Sequence, residues 1–163
     1  MKETAEKKKC ELVEKLGIHL EIKEQMAPVA ARIFSYIILK GKQGTTFEEL
    51  VSKLCASKST ISTHLNHLQD LKKINYFTKT GDRKKYFIVN KDTMIQGITT
   101  LIEQWKSEKE LHADILAYKK EMNETLDSEN KFELDFHESF IEFLQGAIMS
   151  ISKLRENIIN NKY

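Results

Sequence analysis

Residues 57–68 read Ser57-Lys58-Ser59-Thr60-Ile61-Ser62-Thr63-His64-Leu65-Asn66-His67-Leu68, and their side chains are suited to hydrogen bonding along a helix. At about 100° per residue, Ile61, Leu65 and Leu68 fall on one face. Ser59, Ser62, Thr63 and Asn66 fall on the other, with Lys58 near the start. Short hydroxyl and amide groups let a helix backbone come close to base edges and phosphates. Asn66 has the chemistry for bidentate contact with adenine, and Lys58 for contact with guanine or a phosphate. An ordinary solvated face carries Glu, Lys and Gln, which favour helix more than Ser and Thr do. The run Ser59-Thr60, Ser62-Thr63, Asn66 gives up helix propensity with no gain in packing, which points to a contact surface for nucleic acid. A second group, Arg83-Lys84-Lys85, follows the turn residues Thr80-Gly81-Asp82 and supplies positive charge suited to phosphates or a minor groove.

These residues need a scaffold, and the flanking sequence predicts one. Phe47, Leu50, Val51 and Leu54 have the i, i+3, i+4, i+7 spacing of an amphipathic helix. Thr46 before Glu49, or Thr45 before Glu48, offers a capping box for its start. A break at Cys55-Ala56-Ser57 follows, with Ser57 as N-cap of the next helix. Residues 74–79 and 86–89 are rich in aromatic and β-branched side chains and read as a hairpin. Pro28 suits the first turn of a largely apolar helix ending near Lys40, where Gly41 and Gly44 stop it. Two short helices, a tight turn and a basic hairpin predict a winged helix-turn-helix, mainly α with a small β wing.

The stretches 11–21, 28–34, 46–50, Ala56-Ser-Lys-Ser-Thr-Ile-Ser62 and Gly81-Asp-Arg-Lys-Lys-Tyr86 resemble the GbsR branch of MarR-type transcriptional regulators. The likeness is strongest over residues 11–90 and only a matter of helical pattern beyond. It implies a dimeric winged-helix protein that binds double-stranded DNA at a palindromic operator, generally a repressor and often ligand-responsive. By position, the family's groove-reading residues fall on Lys58 to His67, and its wing arginine on Arg83. The expected DNA-binding set is therefore Lys58, Ser59, Thr60, Ser62, Thr63, Asn66, His67, Arg83, Lys84 and Lys85. One departure is Cys55, where many relatives have Gly; it is expected to behave as a small buried hydrophobe.

Charge follows the same division. The chain has 26 basic and 24 acidic residues, net +2, which says little about partners. Residues 40–90 hold ten Lys/Arg and four Asp/Glu, so positive charge gathers where the contact surface was placed. Outside that region, residues 1–25 are expected to form a helical arm, with Val13 and Leu16 opening an apolar stripe and Gly17 as a helix stop. Residues 91–163 are expected to form long dimerisation helices. Met94, Ile98, Leu101 and Trp105 make one seam, and a break is expected near residues 127–130. Phe132, Phe136, Phe140, Phe143 and Ala147 make a seam on the last helix. A winged region of residues 26–90 cannot cover both stripes, so a second subunit is expected; the alternative is a helical hairpin folded back on its own chain.

Other chemistries are poorly represented. There is no phosphate-cradling glycine loop, paired-histidine protease motif or nucleophile elbow, so no enzyme, cofactor or metal is expected. His64 and His67 lie three apart on one helix and could share a metal, but their place in the contact helix favours DNA or packing. Cys10, beside Lys7, Lys8 and Lys9, could act as a redox sensor. No apolar run is long enough to span a membrane, and two cysteines without metal spacing suit a reducing cytoplasm. The aromatic residues could cage a quaternary ammonium ion. Because the resembled branch includes regulators that respond to choline, a choline-like effector is one expectation. The rival to a DNA-binding regulator is a winged-helix module that uses the same surface on another protein.

Overall fold

Helix α2 (Pro28–Lys40) organises the first part of the chain because it is apolar on nearly every side. The computed structural model describes residues 2–160; residue 1 of the expected N-terminal arm and residues 161–163 of the expected C-terminal segment lie outside them. The chain divides into two compact units, Met1–Thr93 and Met94–Tyr163. In the first, α1 (Lys2–Glu24), α3 (Phe47–Leu54) and α4 (Lys58–Asp70) accompany α2, followed by strands β1 (Ile74–Phe77) and β2 (Tyr86–Val89). This is a mainly α, winged helix-turn-helix fold with a small antiparallel sheet.

Pro28 sits in the first turn of α2, and Gly41 ends it at φ 62°, a conformation that glycine adopts at little cost. Ala30, Ala31, Ile33, Phe34 and Ile37 are buried. Their core is completed by Val13 and Leu20 of α1, Leu50 of α3, Ile61, Leu65 and Leu68 of α4, Ile74 and Phe87. Thr46 caps α3, its Oγ1 accepting from the Glu49 amide at 3.2 Å, and Ser57 caps α4 by accepting from the Thr60 amide at 3.1 Å. Thr45 is not the cap. It is buried and bridged to Phe87, with N···O distances of 3.1 and 2.8 Å in the two directions.

Three local expectations are corrected. Gly17 does not stop α1, which continues to Glu24. Leu20 beyond it is buried, and the Arg32 side chain crosses over Gly17: a Cβ there would meet Arg32 Cδ at 3.0 Å. Arg32 pairs with Glu14 and Glu21, one turn to either side, so the glycine marks a close approach between helices. Cys55 is exposed, not buried, and lies at φ 50°, ψ 32° at the C-cap of α3. The left-handed region explains why glycine suits that position, since a side chain there costs ~1 kcal/mol. Strand β1 ends at Phe77 rather than continuing to Lys79.

The second unit is built from the long helix α5 (Lys91–Asn123), from Met94 onward, and α6 (Asp135–Asn160). Phe132 falls outside α6, contrary to the expected seam. The Asn123 side chain binds its backbone twice, accepting from Phe132 N at 2.7 Å and donating to Phe132 O at 3.0 Å. Those groups are thereby withdrawn from a helical first turn. On α6, Phe136, Phe140, Phe143, Ala147, Ser150 and Leu154 follow the alternating four- and three-residue spacing of a coiled-coil seam. Phe136, Phe143 and Leu154 are 65%, 60% and 51% exposed. Among the described residues of this unit, only Ile102, His137 and Leu144 are buried.

Gly44 is the backbone position that most directly fixes the wing base. It has φ 66°, and a Cβ would lie 2.9 Å from Tyr86 Cβ and 3.3 Å from Phe87 O. Gly44→Ala is expected to lower unfolding stability by about 2–3 kcal/mol, combining left-handed strain with overpacking. Urea denaturation checks this; an unchanged midpoint would contradict it.

Candidate nucleic-acid interface

Burial of one face of α4 leaves the other outward. Ile61, Leu65 and Leu68 are in the core, while Lys58, Ser59, Ser62, Thr63, Asn66 and His67 are exposed and Thr60 is half-buried. The first turn is internally tied: Ser57 Oγ lies 2.9 Å from Ser59 Oγ and 2.8 Å from Thr60 Oγ1. Thr63 donates its hydroxyl to the Ser59 carbonyl at 3.0 Å but keeps lone pairs to accept. Among the described residues, the side chains of Ser62, Asn66 and His67 form no hydrogen bond within the chain.

The wing is ordered by one carboxylate. Asp82 accepts from the Lys84 amide at 2.9 Å and from the Tyr86 hydroxyl at 2.7 Å, and its own amide closes the turn onto the Lys79 carbonyl. The Tyr86 hydrogen bond and then the Lys84 amide hold its carboxyl below the usual aspartate value, and the same bond raises the Tyr86 phenol. Phe77 stacks on Tyr86 at 5.4 Å, with Lys79 Nζ 3.9 Å above the tyrosine ring. Lys85 lies over Tyr76 at 4.2 Å. The turn thus presents Arg83, Lys84 and Lys85 outward from an aromatic base.

A groove of ≈ 560 Å³ runs between helix and wing, lined by Phe47, Glu48, Ser62, Leu65, Asn66, Gln69, Arg83, Lys84, Lys85 and Phe87. The structure therefore brings Ser62 and Asn66 together with all three wing cations. Lys58, Ser59, Thr60, Thr63 and His67 lie outside this groove; His67 lines a smaller one with Glu24, Leu71 and Lys73. Gln69 was not singled out from the sequence, and Glu48 was named only as a capping-box partner of Thr45, not as part of a contact surface. The α4 pattern continued one more turn would have reached Gln69; Glu48 had no signal beyond its place in the first turn of α3.

Two sets of basic residues in this unit differ in their partners. Lys40 pairs with Glu49 at 2.6 Å, Lys53 pairs with Glu6, and Lys73 with Glu24. Burial works to raise the Glu49 carboxyl, but hydrogen bonds from Lys40 and Tyr36 outweigh it and leave it lowered. By contrast, Lys58, Arg83, Lys84 and Lys85 enter no ion pair among the described residues. The first set ties α1, α2, α3 and the chain entering β1 to one another; the second keeps its charge available to a ligand.

The second unit holds a cluster that sequence spacing concealed, since His112 and His137 lie on different helices. Their Nδ1 atoms are 3.0 Å apart, and Lys119 Nζ lies 3.0 Å from His137 Nε2. An ammonium can only donate, so His137 Nε2 accepts and its Nδ1–H donates to His112. Phe136, Phe140 and Phe143 stack along α6, with ring centroids 5.6 and 6.0 Å apart. Trp105 and Tyr118 join none of these ring contacts among the described residues.

No protein-family model matches the chain, and no curated protein matches it. One solved structure similar to it is the crystal structure of a transcriptional regulator, 19% identical, with a TM-score of 0.49, over 92% of this chain and 97% of that one. No helix among the described residues is long and apolar enough to cross a membrane.

Burial, the Lys119 charge and His112 all hold His137 below the ordinary histidine value. A lowered histidine costs stability only when it must take a proton. Its contribution is complete above about pH 6.5 and declines as pH falls below that. The thermal midpoint is expected to drop between pH 7.5 and 5, and to drop less in His137→Gln. Equal pH slopes for the two proteins would refute the assignment.

Proposed function

We propose that this chain is a sequence-specific DNA-binding transcriptional regulator of the GbsR/MarR type, working as a homodimer and acting as a repressor. The observation that carries the proposal is the groove in which Ser62 and Asn66 of α4 meet Arg83, Lys84 and Lys85 of the wing. In this reading α4 enters the major groove, where Asn66 reads a base edge and Ser62 and Thr63 reach bases or phosphates. Lys58 and Ser59 sit at the N-terminus of α4, where backbone amides favour a phosphate. Arg83, Lys84 and Lys85 hold the flanking backbone or minor groove, and His67 extends the contact at the far end of the helix. Residues 26–90 then serve as the DNA-reading region, with 1–25 and 91–163 as the scaffold of the dimer.

A second copy is supported by the α6 seam. Its Phe136, Phe143 and Leu154 are largely exposed in the single chain, and uncovered apolar surface costs ~25 cal/mol per Å². A two-fold axis through that seam accounts for the surface and supplies two recognition helices for half-sites ~34 Å apart. Using the phenylalanine stripe in this way leaves it unavailable as a cage, and Lys119, already 5.6 Å over the Phe132 ring, would repel a quaternary ammonium. A choline-like effector therefore finds no support in that stripe.

Fluorescence anisotropy against a selected duplex tests the site. Asn66→Ala is expected to lose about 1–3 kcal/mol for the preferred sequence and little for others, relaxing discrimination. Lys84→Ala should weaken binding to all sequences alike and reduce the salt slope by about one. If both variants bind like the parent protein, the groove does not hold DNA. For the seam, Phe143→Glu should convert a dimer to a monomer in analytical ultracentrifugation, whereas a parent protein that is monomeric at micromolar concentration rules the dimer out.

A further inference from the structure

Among the residues that line the groove between α4 and the wing, Glu48 alone carries a negative charge. Arg83, Lys84 and Lys85 line the same groove. Yet the exposed Glu48 side chain forms no ion pair or hydrogen bond among the described residues. The structural duties at the start of α3 fall to its neighbour. Glu49 donates its amide to the Thr46 cap, and its carboxylate binds Lys40 at 2.6 Å and Tyr36 at 2.9 Å. Glu48 is thus neither neutralised by the wing nor used to join α3 to α2. A free carboxylate in such a groove repels the phosphates of any duplex, whatever its sequence. The interaction that offsets this repulsion must come from a hydrogen-bond donor, since a carboxylate can only accept.

We infer that Glu48 is a base-selecting residue whose carboxylate accepts a hydrogen bond from the N4 amine of a cytosine and rejects thymine and guanine at that position. The inference rests on the DNA-reading function proposed above and names a specificity of the same site. In the major groove only cytosine and adenine offer an amine; thymine and guanine present acceptor oxygens that a carboxylate repels. Adenine's amine lies between two acceptors, its own N7 and the thymine O4, whereas cytosine's has an acceptor on one side only. Adenine therefore suits a carboxamide, which both donates and accepts, and the groove already holds two of these in Asn66 and Gln69. Cytosine suits the carboxylate. Discrimination arises largely from the penalty on wrong bases, where the charge is left buried against acceptors without a donor. Glu48 reaches the groove from α3, so the helix that precedes α4 takes part in reading sequence.

The test selects binding sites from a randomised duplex pool with the full chain and with its Glu48→Gln and Glu48→Ala variants. The parent protein should enrich a site with a cytosine in each half, and replacing that cytosine by thymine or guanine should weaken binding about tenfold. Glu48→Gln keeps the size and helix preference of the side chain. At that one position it should move the selected base from cytosine to adenine, because a carboxamide donates to N7 and accepts from N6. Glu48→Ala should lose the preference there, keep it at every other position, and bind duplexes of unrelated sequence more tightly than the parent. A role confined to stabilising the first turn of α3 would instead lower the melting temperature and weaken all sequences alike, with the selected bases unchanged. That result overturns the inference. A parent site returned with the same bases by both variants overturns it while leaving the DNA-binding function standing. A parent pool in which no sequence is enriched overturns both.

Discussion

Attachment of α4 to α2 through Ile61, Leu65 and Leu68 is the constraint on which the functional surface depends. All three are essentially removed from solvent, and burying a side chain of this kind contributes ~1.5–3 kcal/mol. Rotating α4 by a third of a turn would bury hydroxyls and an amide instead, each unpaired group costing ~1–3 kcal/mol. Hydrophobic burial therefore decides which side of the helix is free. The wing is set by the same core: Phe87 is buried within it and also bridges to Thr45, two residues before α3. Helix and wing are thus positioned by neighbouring parts of one packed interior, which is why residues distant in sequence line one groove.

Electrostatics sharpens this arrangement. Lysines that pair with Glu6, Glu24 and Glu49 join α1, α2 and α3 and the chain entering β1. Such half-exposed pairs contribute modestly to stability, but they neutralise one another. The wing turn instead spends its only carboxylate, Asp82, on its own amide and tyrosine bonds. Three successive cations face outward with no ion pair among the described residues, a distribution suited to a polyanion.

Much of this was legible in sequence because it depends on local rules. Helix starts at Pro28, Phe47 and Lys58 follow from proline and hydroxyl caps, and the apolar face of α4 from its period. The strand Tyr86–Val89 follows from its composition. Two of the misreadings share a cause, a tertiary contact that overrides a local signal, and a third comes from a helix cap. Gly17 resembles a stop until Arg32 is seen to cross it. Phe132 resembles the first member of a seam until Asn123 takes its backbone groups. Cys55 was expected in the interior, but a C-cap turns its backbone left-handed and its side chain outward. The groove joining α4 to the wing and the His112–His137 pair arise from packing between elements, which spacing along the chain does not encode.

A footprint on the DNA upstream of the protein's own reading frame tests the central claim most directly. At low salt, a folded preparation should protect a single site of about 20 base pairs whose halves are related by a two-fold axis. Absence of any protected site, from protein that is folded and at micromolar concentration, would mean that the groove between helix and wing serves a different partner.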